Sequence, residues 1–223
     1  FLKVNRRAGA SWWLPLLLAV VMVVLPIVVA GPILTRKARD AISESQKEMA
    51  EQRGVEISAD QQEQIEAVAA SPFLILVFPA VGGVLSQVVG WLVWAGALYL
   101  AGIALGGRSP FGAIFRVVAW SSLPYSLRGL LQTTYIVATG EIIAHPGLSG
   151  FAGESTLLVS FLSGIDLFLI WRLVLVGIGV STVTHLSRSK SAAVTLGVWA
   201  LFTSFGLVFA YVGTIIGQQF GGM

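Results

Sequence analysis

Cysteine is absent from the 223-residue sequence, and histidine occurs only twice. The absence of cysteine excludes disulfide bonds and thiolate metal sites. The two histidines are predicted to face opposite sides of the membrane and no paired carboxylates lie in an apolar run, which argues against a metal site. Charged residues are also scarce, at 11% against about a quarter in a soluble domain. The net charge of +3 is too small to indicate nucleic-acid binding. We therefore expect no metal, no other cofactor and no nucleic-acid partner, and an ordinary soluble domain is excluded.

The residues that are abundant point to a membrane protein. Hydrophobic residues make up 56% of the chain, and the mean hydropathy is +0.84. The apolar runs are as long as membrane-spanning helices, and they lack the short alternating pattern of strands. We therefore predict an all-α, polytopic transmembrane helical bundle, in which residues 1–223 form a single domain with five spans. The predicted spans cover about residues 14–34, 80–106, 111–139, 158–184 and 191–217.

Residues 35–71 form the only extended polar segment of the chain. Residues 36–53 are rich in helix formers, Gly54 interrupts them, and Ser58 with Gln61 resembles a capping box that starts another helix. This pattern predicts a helical hairpin outside the bilayer, between the first two spans. Two interpretations stay open, a solvated spacer and a docking surface for a partner, because the apolar positions of the hairpin are too sparse for a core of their own.

Basic residues beside the spans predict the orientation of the chain, because cytoplasmic loops carry an excess of lysine and arginine. Lys3, Arg6 and Arg7 precede the first span. The short turns before the third and fifth spans add three candidates for contact with headgroups or a partner: Arg108, Arg188 and Lys190. The first loop is also basic beside the membrane and argues the other way, but three short segments outweigh one long one. We predict a cytoplasmic N-terminus, a C-terminus outside and an extracytoplasmic hairpin.

Small residues and prolines predict how the spans pack and where they break. Small residues recur every four positions in two spans, which favours close helix contact. They are Gly82, Ser86 and Gly90 in the second span, and Gly206 and Ala210 in the fifth. Pro79 and the pair Gly82–Gly83 predict a bend between a short interfacial piece and the second span. Pro124 predicts a break in the third span, where Ser121 and Ser122 can bond the carbonyls that the proline frees.

Four charged residues lie inside predicted spans, where an unpaired charge is costly. They are Arg116, Arg128, Asp166 and Arg172. At 1.5 Å per residue, Arg128 lies about 24 Å above the cytoplasmic edge and Asp166 about 12 Å below the outer edge, so their heights agree within about 6 Å. We therefore predict an Arg128–Asp166 ion pair, and we expect Arg116 and Arg172 to reach cytoplasmic headgroups. Two interpretations stay open, a pair that holds two helices together and a polar pathway or lipid headgroup site.

The string Gly147–Gly150 is the sharpest enzymatic candidate, because it has the GxSG form that rhomboid proteases use with a histidine. Its placement argues against catalysis, since a nucleophile and its base must lie within about 3 Å. Ser149 lies in the outer loop, whereas His185 lies beyond the fourth span, across a hydrocarbon core of about 30 Å. His145, beside a proline, has the character of an ordinary loop residue. The sequence therefore predicts no enzymatic activity.

Three stretches together resemble the Yip-domain family of five-span membrane proteins. The first joins the double glycine and polar turn of Gly106–Phe111 to Arg116–Pro124, which is similar to the family's "vvAya.lP" helix. The second is Asp166–Trp171, and the third is the small basic turn His185–Lys190. The likeness covers the chain from Trp13 onward. Two features depart from the family pattern: the long charged hairpin, and the intramembrane residues Arg116 and Arg128.

The resemblance implies a role in a membrane assembly. Eukaryotic relatives bind Rab-type GTPases through a cytosolic N-terminal region, and this chain has almost none of that region, which puts GTPase binding in doubt. Prokaryotic relatives include accessory proteins of an ABC exporter of the macrolide-efflux type. We therefore expect a non-enzymatic accessory subunit in the plasma membrane of a prokaryote, with the lipid bilayer and integral membrane proteins such as ABC transporter subunits as partners. The alternative is a small solute or lipid transporter, or a lipid-handling protein, that uses the intramembrane arginine and aspartate residues.

Overall fold

The computed structural model of the chain describes residues 13–53, 58, 64–65, 67–68, 71–153 and 155–221. These residues are mostly helical and include no strand, which confirms the predicted all-α class. The α-helices are α1 (Trp13–Arg53), α2 (Phe78–Ala104), α3 (Phe111–Trp120), α4 (Leu123–Thr139), α5 (Thr156–Ser163), α6 (Leu167–Thr184) and α7 (Arg188–Gly221). A π-helical segment, Phe73–Val77, leads directly into α2, and a 3-10 turn, Ser149–Phe151, precedes α5.

Four helical stretches of the described chain are long and apolar enough to cross a membrane. They are Trp13–Glu44, Phe73–Ala104, Leu167–Thr184 and Arg188–Ile215. The chain is therefore a multi-pass membrane protein, as predicted. The predicted third span, 111–139, is not among these four because it is divided between α3 and α4. The predicted fourth span, 158–184, is interrupted at residues 164–166, and only its part in α6 is long enough.

The interruption between α3 and α4 lies directly ahead of Pro124. This proline is the second residue of α4, where a missing N–H costs no intrahelical hydrogen bond. Ser122 Oγ donates to the Ala119 carbonyl at 2.6 Å, and the Ser121 N–H donates to the Val117 carbonyl at 2.9 Å. The two serines therefore close the end of α3 with local bonds, and the chain restarts as α4 at the proline.

Helix α1 is longer than predicted, because its 41 residues run without interruption from the first span into the polar segment. The predicted end of the first span at residue 34 does not interrupt the helix, and Pro26 and Pro32 both lie within it. The reason is that residues 35–53 contain many helix formers and neither glycine nor proline. The predicted second helix of the hairpin falls mostly outside the described residues.

No break in the helix is found near Pro79. The helix runs continuously from the π-helical segment through Gly82 and Gly83 to the end of α2. In the π turn, the Phe78 N–H donates to the Phe73 carbonyl. This wider turn lies immediately before Pro79, whose ring and missing N–H disturb the α-helical bonding there. The two glycines do not break the helix, because a helix in an apolar medium keeps its backbone hydrogen bonds.

The chain folds as two compact units, which are described in turn. The first comprises residues 1–19, 88–128 and 144–223, and the second comprises residues 20–87 and 129–143. The first unit holds a hydrophobic core built mainly from α2, α3, α6 and α7. Its largest fully buried apolar side chains are Trp91, Leu98, Ile114, Val118, Val176 and Val180. In a bilayer such a core is stabilised by close packing, because lipid tails are as apolar as the side chains themselves.

Glycines allow close approach of the chain segments in the second unit. A Cβ atom on Gly83 of α2 would lie 2.7 Å from Val23 Cγ1 on α1. A Cβ atom on Gly31 of α1 would lie 2.9 Å from Leu76 Cδ2 in the π-helical segment. Both distances are shorter than a van der Waals contact, so a larger residue at either position would push the segments apart. Within this unit α1 therefore packs on the first half of the second span through two glycines.

In the first unit, α3 and α6 approach most closely at Gly179. A Cβ atom there would lie 2.4 Å from Val117 Cγ1. We expect Gly179→Ala to lower the free energy of unfolding by about 1–2 kcal/mol, the usual cost of overpacking. Val117 cannot easily move away, because a β-branched side chain has one strongly preferred rotamer in a helix. Circular dichroism during titration of the detergent-solubilised protein with SDS would measure the effect.

Two further variants test the cause of that loss. Val117→Ala in the Gly179→Ala chain should recover most of the stability, because the two residues are in contact and their effects are coupled. Gly197→Ala on α7 is the control, since a Cβ atom there would have no neighbouring atom within 4 Å among the described residues. Equal losses at Gly179 and Gly197 would show that helix packing at Val117 is not responsible.

Candidate functional site along helix α6

Asp166 is the N-cap residue of α6, and its two carboxylate oxygens have different partners. Oδ1 accepts a hydrogen bond from the Leu169 N–H at 2.8 Å, which satisfies a free donor of the first helical turn. Oδ2 lies 3.1 Å from Arg128 Nε on α4, and the side chains of Arg128 and Asp166 are 24% and 13% exposed. The structure thus brings together the two residues that the sequence predicted to pair. The helix dipole also favours a negative charge at this end of α6.

The pair lies at the N-terminal end of α6, whereas the sequence predicted an uninterrupted helix through residue 166. Helix α6 has 18 residues and is about 27 Å long, close to the full thickness of a hydrocarbon core. Since α6 begins at Leu167, Asp166 lies at the N-terminal edge of this apolar helix. The difference arises because α5 ends at Ser163 and the chain turns before α6 begins. An ionised pair is less costly at such an edge than at mid-bilayer.

A loop to which the sequence analysis gave no structural role holds this turn in place. The Leu148 N–H donates to the Leu162 carbonyl at 3.0 Å and to the Ile165 carbonyl at 3.1 Å. Gly147 has a φ of +62°, and a Cβ atom there would lie 2.8 Å from three carbonyl oxygens of the same turn. Only glycine satisfies both conditions. The dipeptide Pro146–Gly147 is a turn signal that could have marked the loop.

The serine of the GxSG string belongs to the same loop. Ser149 is 3% exposed, and its Oγ donates to the Pro146 carbonyl at 2.7 Å. His185 is the C-cap residue of α6, with a φ of 59°, and so lies at the opposite end of that helix, about 27 Å away along its axis. The structure does not bring Ser149 and His185 together. Among the described residues, no group of three or more His, Asp or Glu side chains is placed to hold a metal ion.

Arg172 lies within α6 and is held between aromatic rings. Its guanidinium carbon is 4.7 Å from the centroid of the Trp94 ring and 5.0 Å from that of the Tyr125 ring. Both are cation–π distances, and such contacts strengthen where water is excluded. The Nε atom is buried without a hydrogen-bond partner among the described residues. Rings contributed by α2 and α4 therefore hold the Arg172 side chain inside the first unit.

The turn that contains Gly106 and Gly107 packs against the C-terminal end of α6. Gly106 has a φ of +88°, which favours glycine. A Cβ atom on the buried Gly107 would lie 3.1 Å from Thr184 Cβ and 3.2 Å from Leu186 Cγ. The next residue, Arg108, donates its N–H to the Thr184 carbonyl at 3.1 Å. This turn therefore ties the start of α3 to the end of α6.

Basic side chains gather at this end of α6. Arg108 and Arg188 are exposed, and neither forms an ion pair with another described residue. Lys190 is also exposed, and its Nζ donates to the Leu105 carbonyl at 3.5 Å, near the end of α2. Arg116 is exposed on α3 and likewise has no ion pair among the described residues. The structure thus places Arg108, Arg188 and Lys190 near the C-terminal end of α6, whereas the Arg128–Asp166 pair lies at its N-terminal end.

The motifs at both ends of α6 agree with a comparison against family models. A model of the Yip1 domain matches residues 1–215. The chain belongs to the Yip1 domain family. The match spans the polar segment, residues 35–71. Comparisons with curated proteins and with solved structures give no match for this Yip1-domain chain.

The predicted packing stripes of this Yip1-domain protein lie next to open space. A Cβ atom on Gly82, Gly90 or Gly206 would have no neighbouring atom within 4 Å among the described residues. The exposed members are Gly82, Ser86 and Gly206, and the half-buried members are Gly90 and Ala210. On α2 the close contact within the chain is made by the adjacent Gly83 instead. Among the described residues, Gly82 and Gly90 of the α2 stripe therefore have no packing neighbour from another helix.

Proposed function

We propose that this Yip1-domain protein is a non-enzymatic accessory subunit that binds and supports a larger membrane assembly. The assembly that we favour is an ABC exporter of the macrolide-efflux type in the plasma membrane of a prokaryote. The observation that carries the proposal is the uncovered stripe of Gly82, Ser86 and Gly90 on α2. Small residues let membrane helices approach closely, and the flanking Leu85 and Val89 are 60% and 55% exposed. Such a surface suits a helix of another membrane protein.

We also propose that the chain crosses the membrane five times. The start of α3 is tied to one end of α6 through Arg108 and Thr184, and Arg128 of α4 pairs with Asp166 at the other end. This supports a crossing by α3 and α4 together, beside the four candidate spans, although neither helix is long enough alone. An odd number of crossings puts the termini on opposite sides. The exposed basic residues near Arg188 favour the cytoplasm for that end, and hence a cytoplasmic N-terminus.

Two further features support this role. Helix α1 continues beyond its candidate span, from Glu44 to Arg53, so that the extension would reach the extracytoplasmic parts of a partner. The bond from Ser149 Oγ to the Pro146 carbonyl, with His185 at the far end of α6, supports an accessory role over a proteolytic one. In this role the charged residues of the spans stabilise the fold, and the exposed apolar faces bind the partner.

Gentle purification of the full chain from its native membrane, followed by mass spectrometry of the co-purifying proteins, tests the proposal. We expect ABC transporter subunits in amounts comparable with the chain itself. Replacing both Gly82 and Gly90 by leucine should remove most of them, because large side chains keep the two helices apart.

Gly197→Leu is the matched control for that experiment. Gly197 is also an exposed helical glycine with no neighbouring atom within 4 Å among the described residues, but it lies on α7. This variant should keep the partner. Recovery of the unaltered chain only as a lone monomer, or equal loss of the partner from both variants, would contradict the proposal.

A small solute or lipid transporter is the second candidate. The interruption at residues 164–166 favours it, because broken helices beside charged groups form the binding sites of many transporters. We rank it second because both carboxylate oxygens of Asp166 are engaged, one by the Leu169 N–H and one by Arg128. The variant Asp166→Asn would abolish transport in a folded protein if this candidate is right. Under the accessory proposal it would lower only stability.

A further inference from the structure

An open apolar groove lies between α6 and α7 in the first unit, and it plays no part in the proposed assembly. Its volume is about 830 Å³. Apolar side chains on its wall include Ile170, Val174 and Ile178 of α6, together with Leu196 of α7. The first three are 55%, 53% and 60% exposed, so the groove opens outward along the helix surface. In a membrane, an apolar groove that opens outward from two spanning helices is open to lipid.

The length of the groove corresponds to one leaflet. Its wall on α6 extends from Ile170 to Thr182, 12 residues along the helix, or about 18 Å. Half of a hydrocarbon core is about 15 Å. The groove ends at Arg188, which also lines it and lies just beyond the end of α6. It therefore runs from the Arg188 end along about two-thirds of α6, a course that an acyl chain entering from the leaflet at that end can follow.

The charge at the interface end of the groove suits an anion. Arg188 is exposed and forms no ion pair with another described residue. Arg108, also exposed, is tied by its backbone to the same end of α6, and Lys190 lies in the following turn of α7. An arginine binds phosphate oxygens through two parallel hydrogen bonds, which makes a phosphate at the mouth of the groove the natural partner for Arg188.

A buried hydroxyl group on the groove wall is a separate sign of a polar ligand atom. Thr195 is 2% exposed and lines the groove, and its Oγ1 has no hydrogen-bond partner among the described residues. Thr182 and Thr184 of α6, by contrast, each donate to the carbonyl four residues earlier. Gly177 faces the Thr195 hydroxyl, and a Cβ atom on it would lie 3.8 Å from Oγ1, in van der Waals contact. A buried hydroxyl that is not satisfied within the chain favours an acceptor on a bound molecule.

We propose that this groove binds a phospholipid with an anionic headgroup, drawn from the leaflet at the Arg188 end. One acyl chain lies along the apolar wall from the level of Gly177, beside Thr195, to Ile170. The phosphate accepts hydrogen bonds from Arg188, and a carbonyl oxygen of the acyl ester accepts a hydrogen bond from the Thr195 hydroxyl. The proposal commits to lipid because the groove combines the depth of a leaflet, an apolar wall, one cation at the interface and one buried donor.

Native mass spectrometry of the delipidated full chain in a neutral detergent, titrated with phosphatidylglycerol or phosphatidylcholine, tests the proposal. We expect tighter binding of phosphatidylglycerol, and a loss of about fivefold in its affinity for Arg188→Gln, since one basic residue near an anionic surface contributes that factor. Thr195→Val should weaken both lipids about threefold or more, because it removes one hydrogen bond. Ala192→Phe, or Ile178→Trp if the first variant does not fold, should fill the groove and weaken both lipids.

Arg116→Gln is the matched control, because Arg116 is another exposed arginine without an ion pair among the described residues and lies outside the groove. Equal losses for Arg188→Gln and Arg116→Gln would overturn the proposal in favour of unselective attraction of anionic lipid. Unchanged lipid binding by a folded groove-filling variant would overturn it as well. If the delipidated chain forms a dimer that these variants abolish, the groove is an interface between copies and the lipid proposal fails.

Discussion

Replacing Asp166 by alanine is expected to lower the free energy of unfolding by about 2–3 kcal/mol. The substitution removes the acceptor of the Leu169 N–H, worth about 1 kcal/mol as an N-cap. It also leaves Arg128 without its carboxylate in a partly buried place, at a further cost of about 1–2 kcal/mol. An SDS titration of the detergent-solubilised protein, followed by circular dichroism, would measure the loss.

Asparagine at position 166 separates the two contributions. Asp166→Asn keeps a good N-cap residue and removes only the charge, so it should cost about half as much as alanine. Ser155→Ala is the control for a cap without an ion pair, because Ser155 caps α5 by accepting from the Leu158 N–H at 3.4 Å. If Asp166→Ala costs no more than Ser155→Ala, the pair with Arg128 does not stabilise the fold.

Replacing Gly147 by alanine is expected to cost about 3 kcal/mol or more. A residue with a Cβ atom is strained at a φ of +62° by about 1–2 kcal/mol. The same Cβ atom would lie 2.8 Å from three carbonyl oxygens, so the loop would have to move. That movement would break the bonds from the Leu148 N–H to the turn before α6. The same SDS titration would report the loss of stability, with part of the loss coming from the N-terminal end of α6.

Gly153→Ala is the matched control for this prediction. Gly153 has a φ of +59°, but a Cβ atom there would have no neighbouring atom within 4 Å among the described residues. Its substitution should cost only the backbone strain, about 1–2 kcal/mol. The difference between the two glycines therefore measures the docking of the loop. Equal costs would mean that the loop does not support the turn before α6.

The height of the Arg128–Asp166 pair could be calculated from the sequence because the rise per residue of a helix is constant. Both helices start from the same turn, where the Arg108 N–H donates to the Thr184 carbonyl. Arg128 is reached from that turn along α3 and α4, and Asp166 is reached from it along α6. The absolute depth could not be calculated, since it depends on where the helix is interrupted. That interruption is held by the Leu148 N–H, which comes from a loop outside the span.

The choice between neighbouring glycines could not be made from the sequence either. Gly82 and Gly83 differ by about 100° around the helix axis, and a four-residue repeat selects the first of them. In the structure it is Gly83 that meets Val23. The rotation of α2 about its own axis decides which of its faces contacts the neighbouring helices. A repeat of small residues predicts a contact face, but it does not predict which neighbour packs against that face.

The sequence by itself determined that this is an all-helical, multi-pass membrane protein with a break before Pro124. Composition and local chemistry are enough for these, because a bilayer admits few spanning structures and a proline restricts its own helix. Only the tertiary structure decided that Asp166 caps a helix at its end, and that Arg172 lies between the rings of Trp94 and Tyr125. Both arrangements depend on groups that are distant along the chain and meet only when the helices pack.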